Sequence, residues 1–256
     1  MRFASLGSGS AGNALLVEVN RTTVMLDCGF SIKETVARLA RLNVQPESIS
    51  GIVVTHEHDD HAGGVFKFAA KYQIPVWLTY GTHKMVSRYM PNQHQLQLNI
   101  INSHQAFAID AIEVQPYPVP HDAREPIQCL FSDGQMQLGV LTDVGRTTPH
   151  IEENLRNCHA LVLECNHDAN MLKTGPYSWP LKQRVGGELG HLENLDAAQL
   201  LSKLNHQQLR HIVAAHLSAK NNTPKLAQSA LAKVLGCEED FIGIADQVLG
   251  FDWRTI

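Results

Sequence analysis

Short apolar runs rich in β-branched residues open the chain and stop at polar or glycine-containing breaks. Arg2 to Leu6, Asn13 to Val19 and Thr22 to Cys28 read as strands, with Asn20-Arg21 as a two-residue hairpin turn between the last two. From Ser31 to Leu42, "SIKETVARLARL", the apolar positions fall at helical spacing (Ile32, Val36, Leu39, Ala40), and Ser31 with Glu34 forms a capping box. "GIVVT" from Gly51 is a strand, Ala62 to Lys71 a helix, "PVWLT" from Pro75 a strand, and Thr82 to Tyr89 a helix. Leu96 to Gln137 reads mainly as strands and loops, including "IEVQPYPV" and "IQCLFSD". "QLGVLTD" from Gln137 and "ALVLECN" from Ala160 are strands ending in polar residues. Helices follow at Pro180 to Glu188 and Asn194 to Leu204, then the strand "HIVAAH" from His211 and a helix from Pro224 to Leu235.

The strands come in two batches, each with helices. That pattern predicts an α/β fold in which two sheets pack face to face with helices outside. No linker, charge block or low-complexity tract divides the chain, so one domain is expected over residues 1–256. An apolar fraction of 44% supports a substantial core. With no apolar run long enough to span a bilayer and no apolar signal segment at the N-terminus, the expected location is cytoplasmic, away from membranes. Five cysteines without CxxC spacing are expected to be reduced, buried thiols. The net charge of −4 excludes a protein that coats nucleic acid through its overall field, so a nuclease must rely on local cations and bound metal.

Fourteen histidines exceed what packing requires. Three of them lie in "THEHDDH", directly after the strand that ends at Thr55. His56 and His58, two apart on extended backbone, can point the same way, whereas Asp60 and His61 fall where the chain turns toward a helix. The result is two ligand pairs for two neighbouring divalent ions. Imidazole and carboxylate suit zinc, manganese or iron, and the absence of a nearby thiol argues against a structural zinc site. The Gly-rich "SLGSGSAGN" lacks a Walker lysine and reads as a tight turn that brings Asn13 close to this site. His83, His94, His104, His150, His159, His206 and His211 belong to no convergent motif and read as surface or core residues.

"THEHDDH" resembles the HxHxDH signature of the metallo-β-lactamase superfamily, whose fold is a four-layer αββα sandwich with one or two metals at its edge. The resemblance implies that His121 in "PHDA" completes one metal site with His56 and His58. It implies that Asp143 in "LTDVG" bridges the metals and that His216 in "AAHLS" joins Asp60, His61 and Asp143 at the second. Asp27 in "MLDCG" then supports the site from behind, where a carboxylate can fix an imidazole tautomer.

Such a pair of metals supports hydrolysis of phosphoryl or acyl bonds, without choosing between them. Glu164 at a strand end and His191 before an amphipathic helix resemble the phosphodiesterase branch of the superfamily. There a glutamate-oriented histidine protonates the leaving oxygen, with Asp60 the further carboxylate counted among the catalytic residues; His167 is a rival for the histidine's role. "GSGSAGNALLVE", "THEHDDH", "ECNHDANMLKTGPYSWPLKQRV", "GHLEN" and "HLSAKNNTP" together resemble the YycJ/WalJ branch and span nearly the whole chain. That resemblance implies a 5′ to 3′ DNA exonuclease. Glu193 departs from the serine of that branch after "GHL" and puts a carboxylate in this loop. Thr223 and Pro224 begin a helix whose positive end could hold a phosphate, with Ser218, Lys220 and Asn222 as added donors. Tyr177 and Trp179, among Lys173, Lys182 and Arg184, combine aromatic faces with cations suited to a single nucleic-acid strand. Two other readings fit the same ligands: a hydrolase of small cyclic phosphodiesters, and a non-enzymatic metal-binding regulatory scaffold.

Overall fold

The computed structural model describes residues 1–90 and 96–256; His94 lies outside them. Alternation along the strands decides how they stack. Phe3, Val17 and Val24 face one side of their sheet while Ala4, Leu16 and Met25 face the other, and both sides are buried. A sheet covered on both faces needs a second sheet or helices on each, which is the origin of the four layers.

The first sheet has seven strands in the order β14 (Phe251–Thr255), β1 (Arg2–Gly7), β2 (Ala14–Val19), β3 (Thr22–Leu26), β4 (Gly51–Val53), β5 (Val76–Thr79) and β6 (Leu98–Ile101). The second runs β13 (Gly243–Ile244), β12 (His211–Ala215), β11 (Ala160–Glu164), β10 (Gln137–Leu141), β9 (Ile127–Ser132), β8 (Ile112–Pro118) and β7 (Phe107–Ile109). Both are mixed: β3 to β6 and β10 to β13 are parallel, and the remaining pairs antiparallel. Between the sheets, Phe3, Val17 and Val53 pack with Val114, Ile127, Phe131, Val140, Val162 and Val213. Burial of each such side chain contributes about 1.5–3 kcal/mol.

On the outer face of the first sheet, Leu39 of α1 (Ile32–Arg41) and Val65 and Phe68 of α3 (Val65–Tyr72) cover Leu16, Met25 and Ile52. On the second, α5 (Pro149–Leu155), α8 (Asn194–Lys203) and α9 (Pro224–Leu235) cover Leu141, Leu161 and Leu163. This is the four-layer sandwich expected from the sequence. No helix among the described residues is long and apolar enough to cross a membrane.

Local chemistry sets most boundaries where predicted. Val19 pairs with Thr22, so Asn20-Arg21 is the hairpin turn, with Asn20 at φ 55°. The Ser31 hydroxyl caps α1 by accepting from the Glu34 N–H; Glu34 itself turns to Arg38 at 2.8 Å rather than closing the box. Thr223 caps α9 and Pro224 occupies its first position.

Elsewhere the elements differ from expectation. The predicted helix at Ala62–Lys71 is α3, preceded by a separate short helix, α2 (Asp59–Ala62), from which Gly63-Gly64 divides it. Gly64 is there because a Cβ would lie 1.9 Å from the Phe30 carbonyl oxygen. The predicted helix after Thr82 is α4 (Tyr80–Val86), capped by Thr79. That after Pro180 is α7 (Trp179–Val185), stopped by Gly186-Gly187. The pattern left α5, α6 (Ala169–Thr174), β13 and β14 unassigned. These are short, and β14 exists through its pairing with β1 at the far end of the chain.

Candidate metal centre and the cleft beside it

The site residues converge from the C-terminal ends of strands in both sheets. Asp27 follows β3, His56 follows β4 by three residues, His121 follows β8, Asp143 follows β10, Glu164 ends β11 and His216 follows β12. Asp27, Asp143 and His216 have φ of 61°, 51° and 55°. A left-handed residue turns the chain abruptly out of its strand; for residues other than glycine it is strained, and such strain collects at functional sites.

His56, His58 and His121 form one group. His56 Nε2 is 3.1 Å and His121 Nε2 3.3 Å from His58 Nδ1. Zinc–nitrogen bonds of about 2.0–2.1 Å at tetrahedral angles put ligand nitrogens about 3.3 Å apart, so these rings hold the edges of such a polyhedron. Asp60, His61, Asp143 and His216 form a second group: His61 Nε2 lies 3.1 Å from Asp143 Oδ2, and His216 Nε2 lies 3.4 Å from Asp143 Oδ1 and 3.5 Å from Asp60 Oδ2.

The rings are oriented from behind. Asp27 accepts from the Thr55 N–H and hydroxyl at 2.8 Å and from His61 Nδ1 at 2.7 Å. The same Thr55 oxygen faces His56 Nδ1 at 2.9 Å, and the Gly190 carbonyl faces His121 Nδ1 at 3.1 Å. In each ring the tied Nδ1 is the donor, which leaves Nε2 with its lone pair toward the cluster. Asn13 holds the neighbouring loop: its N–H donates to the Asp60 carbonyl at 2.8 Å, and its amide lies 3.3 Å from the Asp60 carboxylate.

This donor set fits a divalent metal. Asp27, Asp143 and Glu164 are buried, Asp60 is partly so, and every ion pair recorded for them among the described residues is with histidine. Among the described residues, Asp143 Oδ2 and His216 Nε2 are buried with no hydrogen-bond partner. Buried carboxylates need compensating positive charge. Burial, the largest single influence, would lower the pKa of His61 and His216, yet the surrounding carboxylates together outweigh it: Asp143 with Asp27 raises His61, and Asp143 with Asp60 and Glu164 pushes His216 up to about 10. In the absence of a cation, protons would occupy the place it takes. For His56, burial dominates and its pKa falls, which favours the neutral ligand form.

Beside the second group, His191 Nδ1 lies 2.8 Å from Glu164 Oε1. Glu164 is immobilised by the N–H groups of Val144 (2.9 Å) and Leu192 (3.2 Å), both on Oε2. Burial would raise the Glu164 pKa, but the His191 charge and hydrogen bond hold it down to about 2; reciprocally, Glu164 overcomes burial and raises that of His191. His167 is 3% exposed with its Nδ1 toward Asn166, and its carbonyl accepts from Asn194 N–H. Glu164 is thus paired with His191, not with His167.

A cleft of about 840 Å³ opens over the two groups. Ser10, Asp59, Asp122, Tyr177, Leu181, Arg184 and Gly190 line it together with His58, His121, Asp143, His191 and His216. Tyr177 reaches it, whereas Trp179 is 72% exposed on α7 and lies outside the lining. Lys220 is exposed in the loop before α9. Ser218 and Asn222 are buried: the Ser218 hydroxyl accepts from the Asn221 N–H, and the Asn222 amide donates to the Cys165 carbonyl and pairs with Asn194. Their polar groups hold the loop together rather than line the cleft. Glu193 occupies the N-cap position of α8 without a side-chain capping bond. The pattern did not point to Thr55, Gly190 and Asp122; only adjacency to "HEHDDH" and to His121 hinted at Thr55 and Asp122.

The sequence profile of the Beta-lactamase superfamily domain matches residues 22–216, which include every metal-ligand candidate. The chain belongs to the metallo-β-lactamase superfamily. Within it, exodeoxyribonuclease YycJ of Bacillus anthracis is 34% identical over 246 residues, covering 96% of this chain and 92% of that protein. Exodeoxyribonuclease WalJ of Streptococcus pneumoniae is 30% identical over 245 residues, covering 95% and 91%. The metallo-β-lactamase fold protein YhfI from Bacillus subtilis superposes with a TM-score of 0.77 at 15% identity, covering 99% of this chain and 98% of that one. This superfamily member therefore carries a divalent-metal site of its family's type on its family's fold.

Proposed function

We propose that this protein, acting as one hydrolase domain over residues 1–256, is a metal-dependent phosphodiesterase. It degrades DNA as an exonuclease with the 5′ to 3′ polarity implied by its YycJ/WalJ resemblance, and its expected place is the cytoplasm. The observation that carries the reading is the 2.8 Å contact between His191 and Glu164 at the edge of the histidine–aspartate array. A phosphodiester leaving group needs a proton, and a histidine held by a buried carboxylate beside the array is placed to supply it.

His56, His58 and His121 would hold one divalent ion, and Asp60, His61 and His216 a second, with Asp143 between them; zinc, manganese and iron all suit these donors. When bound, the ions supply Lewis acidity to the phosphoryl oxygens and make water nucleophilic near neutral pH. Asp60, the most exposed carboxylate of the array, is placed to accept a proton from the attacking water. Glu164 fixes His191 through Nδ1, which presents Nε2 to the cleft. As the phosphorus–oxygen bond breaks, the leaving oxygen takes the Nε2 proton, and the carboxylate of Glu164 stabilises the imidazolium beforehand. Tyr177 offers a face for a base, and Trp179 and Lys220 lie on the surface a longer strand would follow.

Removing the general acid costs about 10²–10⁴-fold in rate. His191→Ala in metal-reconstituted protein should lose that much turnover on an end-labelled oligonucleotide while metal content stays at the wild-type level. Loss of metal along with activity would reassign His191 to coordination. Full activity of His58→Ala would leave the array a regulatory scaffold. Because the cleft lining holds Asp59, Asp60, Asp122 and Asp143 against one arginine, a small cyclic phosphodiester is the second reading. Comparing turnover of the two substrates decides between them.

A further inference from the structure

Four carboxylates line the cleft, and among its lining residues Arg184 is the only lysine or arginine. Its neighbours in the sequence motif are engaged elsewhere: Lys182 donates through Nζ to the Lys173 carbonyl at 2.7 Å, on the exposed side. A polyanion entering the cleft beside the metal groups therefore meets one fixed side-chain cation.

Arg184 is set next to the proposed general acid by the backbone. The His191 N–H donates to the Val185 carbonyl at 2.8 Å, and a Cβ on Gly190 would lie 2.1 Å from the Arg184 carbonyl oxygen. Only glycine at 190 lets the end of α7 close onto the turn that carries His191. The side chain is held as well. Arg184 Nε donates to Asp122 Oδ2 at 2.7 Å, and the Asp122 N–H donates to the Leu189 carbonyl at 3.0 Å. Both members of the ion pair are thus tied to the same 187–191 turn. The Arg184 side chain is 63% exposed, and among the described residues Asp122, at Nε, is its acceptor. A guanidinium braced through one edge can present its terminal N–H groups to phosphate oxygens with little further loss of rotamer freedom.

We infer that Arg184, braced by Asp122, anchors a substrate phosphate next to the scissile one, on the leaving-group side of the cleft. The inference rests on the phosphodiesterase reading and adds to it a determinant of substrate class: the site prefers a substrate bearing a second phosphate over one bearing a single diester. Leu181, Tyr177 and the exposed α7, which buries none of its side chains, form the wall on which the neighbouring nucleoside lies.

Arg184→Ala and Arg184→Lys are compared with the wild type, as metal-reconstituted full-length protein, on a short oligonucleotide and on bis(4-nitrophenyl) phosphate, which has one phosphorus. Metal content is measured in each. The expected result is a rise in KM for the oligonucleotide of about tenfold or more in the alanine variant, the size of losing one charge-assisted contact. The ratio of kcat/KM for oligonucleotide over diester falls with it, and lysine restores part. Equal losses on both substrates, or loss of metal, would mean that Arg184 serves only to hold Asp122 against His58 and His121, and would overturn the anchor. If the wild type hydrolyses the diester and leaves the oligonucleotide intact, the nuclease reading fails independently. Inhibition of diester hydrolysis by inorganic pyrophosphate then judges the anchor: a Ki about tenfold weaker in Arg184→Ala supports it, and an unchanged Ki overturns it.

Discussion

Thr55 shows how much one residue contributes at this site. Its hydroxyl donates to Asp27 and accepts from His56, so a single oxygen fixes a ring of the first group and the carboxylate that fixes His61 in the second. The cysteines illustrate the opposite case of side chains kept out of chemistry. Cys28, Cys129, Cys158 and Cys165 are buried, and Cys237 is partly exposed. Burial pushes the Cys28 thiol up to about 11 and that of Cys158 up to about 12. A thiol pKa raised in the folded state means the fold retains a proton that the unfolded chain releases near pH ~8.5. That contribution to stability is complete below this value and is lost as pH rises through about 11 to 12. The urea midpoint should accordingly fall above pH 9, and Ellman's reagent should titrate one thiol, Cys237, in native protein and five after denaturation. Rapid native reaction of more than one would contradict the burial.

At the scale of elements, the metal-ligand loop is positioned by close backbone contact rather than by helix strength. The turn after β3 presses on α2 and α3: the Cys28 N–H donates to the His61 carbonyl, the Gly64 N–H donates to the Cys28 carbonyl, and a Cβ on Gly64 would meet the Phe30 carbonyl oxygen. Gly64→Ala must move one of these segments, at a cost of about 1–3 kcal/mol, typical of overpacking. The shift falls on His61 and Asp60, so metal affinity should drop with stability. Thr223→Ala removes the α9 cap and should cost about 1 kcal/mol with metal affinity intact. Urea denaturation and a zinc-competition titration on both variants separate the effects. Equal metal affinities would show that the turn does not govern the site.

For the whole molecule, the site is where the two sheets are tied together: Asp27, His56 and His61 come from the first, and His121, Asp143 and His216 from the second. A cation bound by both stabilises the folded state by mass action, about 2.7 kcal/mol when free metal is a hundred times its Kd. For a chain of this size that corresponds to roughly 5–10 °C in Tm. Chelation should lower Tm by that amount and readdition of metal should restore it, as read by calorimetry. An unchanged Tm would mean the array is not occupied in the folded protein.

The strand-end ligands were legible because metal chemistry is written locally. "HEHDDH" places two pairs by backbone direction alone, and strands in two batches, each with helices, predict two sheets face to face with helices outside. Resemblance added His121, Asp143, His216 and the Glu164–His191 pair, and the structure brings each of them to the array. What the sequence could not determine depends on groups far apart along the chain. β14 is a strand because β1 offers an open edge some 250 residues earlier, and nothing within "FDWRT" compels it. Ser218 and Asn222 read as donors for a phosphate, but in the fold the Ser218 hydroxyl accepts from the Asn221 N–H and the Asn222 amide is taken up by Cys165 and Asn194. Arg184 was one of three cations in an aromatic segment; only the closure of α7 onto Gly190 brings it into the cleft with Asp122. Residue types and their spacing determined which chemistry this chain can host. Long-range hydrogen bonding and close packing, which depend on three-dimensional neighbours, decided which of those groups are available to perform it.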